Sequence, residues 1–284
     1  MRRKKKSKMS KWKFVIVSKD GEFKIPPEKF TDVADLAEIN ISYVDNNTKP
    51  IAEVYNKYLE SERGPNGTNW DYMVFMHSDV SFDLGGLIKH VEKVSEKYDI
   101  IGLCGTATMN VMESPLNWFT SSRPTPDKRW GCVIHGELGN QMTWFSQHSP
   151  DVGDHEVACL DGLCLIFTKK IILDRSIRFD PTVGEFDFYD SDISMQAMMN
   201  GLKLGVVVRK DLMHFSVGKS ILTPHFLENE IKFRRKWNLP LPPNLAKLEA
   251  EKQRQLDGLT VNEQVQIQSP ANSSASSEVG SLSA

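Results

Sequence analysis

Apolar and polar positions change their spacing repeatedly along residues 12–240. Trp12–Val17 is a β-rich run that stops at the turn Ser18-Lys19-Asp20-Gly21, and Ile39–Val44 is a second run, followed by Asp45-Asn46-Asn47. From Pro50 to Glu60 the spacing becomes helical, with Ile51, Val54, Tyr55, Tyr58 and Leu59 on one face. Past the loop Gly64-Pro65-Asn66-Gly67, Asp71–Met76 is almost continuously apolar, the pattern of a strand covered on both faces. Leu84–Tyr98 is an amphipathic helix, and Ile100-Ile101-Gly102-Leu103-Cys104 is a fourth strand. Strands and helices alternating at this pace predict an α/β sheet with parallel pairs. Ligands of such sheets gather at the carboxyl ends of the strands, and Asp79 stands at one.

The pattern then loosens. Residues 105–157 carry Trp118, Trp130 and Trp144 among several Pro and Gly and read as a loop-rich insert; each Trp suits either core packing or a stacking surface. A helix after Asp192, with Ile193, Ala197 and Met198 inward, closes at Asn200-Gly201, and Gly205–Val208 is a further strand. Thr223-Pro224 is an N-cap and N1 pair for a helix to about Trp237. The chain therefore divides into a basic disordered arm (1–11), a folded domain (12–240), a charged C-terminal helix (241–256) and a tail (257–284). The tail lacks aromatic residues and cannot offset its ordering entropy.

Composition narrows the class. Among 284 residues, 40% are hydrophobic and 25% charged, and no apolar run approaches the roughly 18 residues of a membrane helix. The basic start lacks an apolar signal region, since Phe14-Val15-Ile16-Val17 is too short, so a cytoplasmic chain is expected. Cys104, Cys132, Cys159 and Cys164 have no Cys-x-x-Cys spacing and read as reduced. The net charge of −2 conceals eight Lys/Arg within residues 1–13, which leave 27 basic against 37 acidic side chains, net −10, in the remainder. That arm reads as a solvated tail, with peripheral membrane contact as its furthest role. An acidic body excludes nucleic acid as the main ligand but not a small anion held through a metal.

Three clusters carry candidate chemistry. Met73–Val80 leaves a buried strand at His77-Ser78-Asp79, where an acid suits a hard divalent cation such as Mg²⁺ or Mn²⁺ and the two neighbours suit ribose or phosphate. Alone, Asp79 equally suits a helix cap. Phe186–Ser194 packs Asp187, Asp190 and Asp192 between aromatics. Capping explains one or two of them, whereas a carboxylate against apolar rings becomes a general base. The third cluster is Met213-His214-Phe215-Ser216-Val217-Gly218, in which His214 alone would be structural.

In this order the clusters resemble the GT-A glycosyltransferase superfamily, most closely the bacterial- and viral-type glycosyltransferase-like relatives of the inverting family 2 enzymes. The resemblance covers about residues 13–220. It rests on Asn46 with Glu53-Val54-Tyr55-Asn56, Phe75–Val80, Ile101–Gly105, Leu160-Asp161-Gly162, Phe188–Asp192 with Gly201, and His214-Phe215-Ser216 with Gly218. It implies a mixed, mostly parallel central sheet flanked by helices, with a loop-rich insert and C-terminal helices. It also implies a nucleotide-sugar donor, UDP- or GDP-linked, a glycan or other hydroxyl acceptor, and a divalent metal, Mn²⁺ or Mg²⁺. His77-Ser78-Asp79 stands where the family has Asp-x-Asp, with His77 replacing the first acid. Asp79 and His214 would hold the metal. Asn46, His77, Ser78, Asp161 and Gly162 would contact the donor. Asp190 matches the acidic residue that serves as the family's catalytic base, with Tyr189 in place of Glu and Asp192 as competitor for the role. Two other classes stay open: a catalytically silent sugar- or protein-binding module on this fold, and a metal-dependent nucleotidyltransferase or phosphatase. The second would need a Gly-rich phosphate loop, which Ser18-Lys19-Asp20-Gly21 does not supply.

Overall fold

The computed structural model describes residues 9–63, 67–114, 128–135, 142–145, 153–216 and 223–254. The chain forms two units, Met1–Pro240 and Leu241–Ala284. In the second, residues 243–254 are helical, and the tail expected to be disordered lies outside the described residues.

In the first unit the elements run β1 (Ser10–Val17), α1 (Pro27–Thr31), β2 (Ala37–Val44), α2 (Ile51–Ser61), β3 (Tyr72–His77), β4 (Val80–Ser81), α3 (Leu84–Val94), β5 (Ile100–Gly102) and β6 (Gly105–Thr106). They continue as β7 (Arg129–Trp130), β8 (Cys132–His135), β9 (Met142–Phe145), β10 (Asp154–Val157), β11 (Cys159–Leu160), β12 (Cys164–Thr168) and α4 (Lys169–Leu173). Last come α5 (Tyr189–Met199), β13 (Leu204–Val207), β14 (Met213–His214) and α6 (Pro224–Lys236).

The expected architecture forms: a mixed, mostly parallel sheet of seven strands ordered β10-β13-β5-β12-β3-β1-β2, flanked by helices. β1 pairs in parallel with β2 and β3, and β13 with β5, while β12 runs antiparallel between β3 and β5 and β10 antiparallel to β13. Strand side chains alternate between faces, which accounts for two separate cores. Phe14, Ile16, Val74, Met76 and Ile166 face α1 and α3. Val15, Val17, Met73, Phe75, Leu165 and Phe167 face α2, α4 and α5. A third cluster joins Phe188 and Met195 to Phe226 and Phe233 of α6, whose Thr223 side chain caps the helix by accepting the Phe226 N–H.

Several details differ from the sequence pattern. β1 starts at Ser10, inside the stretch expected to be a disordered arm, because pairing with Ala37 on β2 continues that far. α3 ends at Val94, and Tyr98 instead sends its hydroxyl to Asp154 Oδ2 at 3.0 Å. The loop-rich insert contributes strands, including β10 at the edge of the main sheet. On α5 the inward residues are Ile193, Met195 and Ala197, whereas Met198 is 47% exposed, since the helix turns it away from the sheet. Trp130 is partly buried and stacks on His155, ring centroids 3.8 Å apart. The side chains of Trp118 and Trp144 lie outside the described residues. All four cysteines are buried free thiols, and burial holds each thiol above its ordinary range, which makes them inert. No helix among the described residues is long and apolar enough to cross a membrane.

Gly205 on β13 lies directly under the Tyr98 ring, and a Cβ there would overlap it. Gly205→Ala is expected to cost about 1–3 kcal/mol by overpacking, read as a lowered urea midpoint. An unchanged midpoint would show that Tyr98 moves aside freely.

Candidate active site

The site is assembled where the main sheet meets two smaller ones. Beyond β3 the Ser78 N–H donates to the Val17 carbonyl (3.2 Å), and the Ser78 carbonyl accepts the Lys24 N–H (2.7 Å), so the turn after β1 is closed against the end of β3. The Asp79 carbonyl accepts the Phe215 N–H at 2.7 Å, and β14 pairs antiparallel with β4 so that His214 faces Val80. This small sheet carries His214 across the sequence to Asp79. Its Nε2 lies 3.3 Å from Asp79 Oδ2. The sequence could nominate both residues but not the pairing that joins them.

His77, Asp79 and His214 each place a ligand atom within 4.8 Å of the others, the only such group among the described residues. His77, assigned from the resemblance to donor contact, thus stands with the metal candidates. Burial pushes the Asp79 carboxyl up, but the His214 hydrogen bond and the charges of His214 and His77 outweigh it and leave it below its usual range. Burial pulls His214 down, and the bond to Asp79 more than reverses that. Asp79 Oδ1 is buried and has no hydrogen-bond partner. An uncompensated buried carboxylate oxygen is costly, and a divalent cation satisfies it. The residues present therefore fit a metal ion.

A cleft of about 610 Å³ opens beside this group, lined by Lys19, Asp20, Glu22 and Lys24 from the turn after β1, by His77, Ser78 and Asp79, and by Phe186 and Phe215. The Lys24 ammonium sits 5.6 Å above the Phe215 ring. The turn was legible as a turn; its place at the carboxyl end of a central strand was the signal that it lines a site. Asn46, exposed and with a left-handed φ of 47°, packs its side chain beside Gly21 of that turn without lining the cleft.

Asp161 and Gly162 follow β11, whose pairing with β6 continues as the Asp161 N–H to the Cys104 carbonyl, 2.9 Å. Asp190, in the first turn of α5, accepts the Gly162 N–H at Oδ2 (2.9 Å) and the Ser191 N–H at Oδ1 (2.6 Å). Burial, and next the Asp161 carboxylate, push its carboxyl up to about 7 against the lowering by these hydrogen bonds. Phe188 just before it has a left-handed φ of 61°, an uncommon conformation for an aromatic residue. Asp192 is fully buried, with Lys236 Nζ (2.6 Å) and Trp237 Nε1 (2.8 Å) on Oδ1 and Gln196 Nε2 (2.7 Å) on Oδ2. Tyr189, which stands where the resemblance expects a Glu, connects the clusters: its hydroxyl touches His77 Nε2 at 2.6 Å and the Gly162 carbonyl at 2.9 Å.

Fold and site together define an α/β protein with a carboxylate–imidazole cluster at the strand ends. Residues 31–230, well over half of the chain, match the family described as glycosyltransferase like family, and the chain belongs to it. Glycosyl transfer is the reaction class of that family. Among solved structures it is similar to A197 from STIV, at 15% identity and a TM-score of 0.36 over 76% of this chain and 100% of that one. It is also similar to GalNAc-T7 with UDP, GalNAc and Mn²⁺, at 8% identity and a TM-score of 0.44 over 81% of this chain, which spans 48% of that one. No curated protein matches in sequence.

Proposed function

We propose that the chain is a GT-A-type, metal-assisted glycosyltransferase that moves a sugar, with inversion, from a UDP- or GDP-linked donor to a hydroxyl of a glycan acceptor. The observation that carries this reading is the buried, partnerless Asp79 Oδ1 in the His77–Asp79–His214 cluster, at the end of a cleft of about 610 Å³. In this reading His77, Asp79 and His214 hold a divalent ion, which supplies positive charge where the diphosphate leaving group develops its negative charge. Two imidazole nitrogens in the donor set favour Mn²⁺ over Mg²⁺, which prefers oxygen ligands.

Lys19, Lys24 and Ser78 offer donors to phosphate and ribose oxygens along the cleft, and Phe186 and Phe215 offer apolar surface. Asn46 supports the turn that carries Lys19, and Asp161 stands beside Asp190 to accept sugar hydroxyls. Asp190 takes the proton of the acceptor hydroxyl. The acceptor oxygen then forms the new bond to the anomeric carbon, and the bond from that carbon to the diphosphate oxygen breaks, its electron pair leaving with the nucleoside diphosphate. A carboxylate titrating near 7 is well matched to a base at neutral pH. Asp192, saturated by Lys236, Trp237 and Gln196, ties α5 to α6 and is the weaker candidate for that proton.

Calorimetric titration of UDP and GDP with and without Mn²⁺ tests the reading. One of the two is expected to bind, more tightly with Mn²⁺ than with Mg²⁺, and Asp79→Ala should abolish the metal-dependent part. Absence of binding by either nucleotide under every condition would sink the assignment.

A further inference from the structure

The fully enclosed Tyr189 hydroxyl has two neighbours, the Gly162 carbonyl and His77 Nε2. A hydroxyl carries one proton, and a carbonyl oxygen can only accept. The Tyr189 proton therefore goes to Gly162, and its oxygen is left to accept. What faces that oxygen from His77 at 2.6 Å must then be an N–H. A neutral imidazole carries one proton, so with Nε2 protonated the lone pair lies on Nδ1.

We infer that Tyr189 is a positioning residue that fixes His77 in its Nε2–H tautomer, so that Nδ1 is the atom presented to the cation, and that it ties this ligand to the base Asp190 through Gly162. The inference rests on the metal reading above. Metal-bound histidines generally donate their second ring N–H to an oxygen that sets tautomer and ring orientation; here that oxygen is a phenol locked in place.

The lock has identifiable parts. The Tyr189 ring packs against Tyr55 and Phe179, with centroids 6.0 and 6.2 Å away. Gly162 is held at both backbone groups, its carbonyl by Tyr189 and its N–H by Asp190 Oδ2. It must be glycine, since a Cβ at this position would overlap the Tyr189 hydroxyl and ring. Consecutive residues 189 and 190 thus clamp one glycine, and the spacing between the metal ligand and the base is fixed by that clamp. A glycine that sugar recognition alone would not require is explained.

The test uses the full chain, Mn²⁺ alone as the probe, and side-chain ¹⁵N NMR of the metal-free protein. Wild type is expected to bind Mn²⁺ and to show His77 as the Nε2–H tautomer. Tyr189→Phe should weaken Mn²⁺ binding by about 10–100-fold and give a mixture of His77 tautomers, and Gly162→Ala should do the same by displacing the hydroxyl. Tyr98→Phe, which removes a hydroxyl bonded to Asp154 on the edge strand β10, should leave Mn²⁺ affinity unchanged. An Nδ1–H tautomer in wild type overturns the inference without any variant. So does unchanged Mn²⁺ affinity in Tyr189→Phe, or weakened affinity with the tautomer unaltered; each leaves the metal reading standing. If wild type binds no Mn²⁺, the metal reading falls and takes the inference with it.

Discussion

Asp190→Asn is expected to lower kcat by about 10²–10⁴-fold, the usual contribution of a general base, while nucleoside diphosphate binding persists. The amide keeps the size of the side chain and can still accept one of the N–H groups of Gly162 and Ser191, but it cannot take a proton. In the wild type, kcat/KM should rise with pH through about 7, where burial and Asp161 have moved the carboxyl, and this limb should vanish in the variant. Stability should move in the opposite sense. The unfolded carboxyl titrates near 4, so between about 4 and 7 the native state binds more protons, and stability falls as pH rises through that window. Above it the loss is complete. Asp190→Asn should flatten this dependence. Turnover and its pH profile together check the assignment, which fails if Asp190→Asn retains wild-type turnover or if Asp192→Asn alone abolishes it.

Arg234→Ala should produce the largest loss of stability, about 3–5 kcal/mol, the typical cost of leaving one member of a buried ion pair unpaired. Arg234 and Glu230 are both fully buried on α6, one helical turn apart, with Nη2 to Oε1 at 2.8 Å. The guanidinium also donates to the carbonyls of Val111 (2.6 Å), Pro240 (2.7 Å) and Glu113, and Ser114 donates to Glu230 Oε2. Removing the arginine takes the guanidinium from a buried carboxylate and the donor from three carbonyls. The double variant Glu230→Leu/Arg234→Met should recover part of the loss, because the buried charge goes with its partner. Chemical denaturation of the three proteins decides the matter, and a loss below about 1 kcal/mol, the range of a surface pair, would show that water reaches the pair.

The legible parts of the sequence were those governed by local rules. Apolar runs mark the central strands β1 and β3, and Cys164–Thr168 of β12 is a run of the same kind, buried throughout. Thr223-Pro224 marked the start of α6, and the turn beside Asp79 marked a strand end. The segments too short for a period, β4, β6, β11 and β14, could not be read, since two residues form a strand only when a partner is supplied. Those short strands do the assembling: β14 on β4 brings His214 to Asp79, and β11 on β6 sets Gly162 beneath Tyr189.

Chemical identity in the site is thus a property of the sequence: an acid at 79, imidazoles at 77 and 214, an acid at 190. Its resemblance to glycosyltransferases was visible there because these residue types recur in a set order. The tertiary structure decided which acid keeps one buried oxygen without a partner, which is saturated by Lys236 and Trp237, and which is raised to about 7. Those properties depend on desolvation and on neighbours distant in sequence, such as Trp237 against Asp192, and no local spacing encodes them.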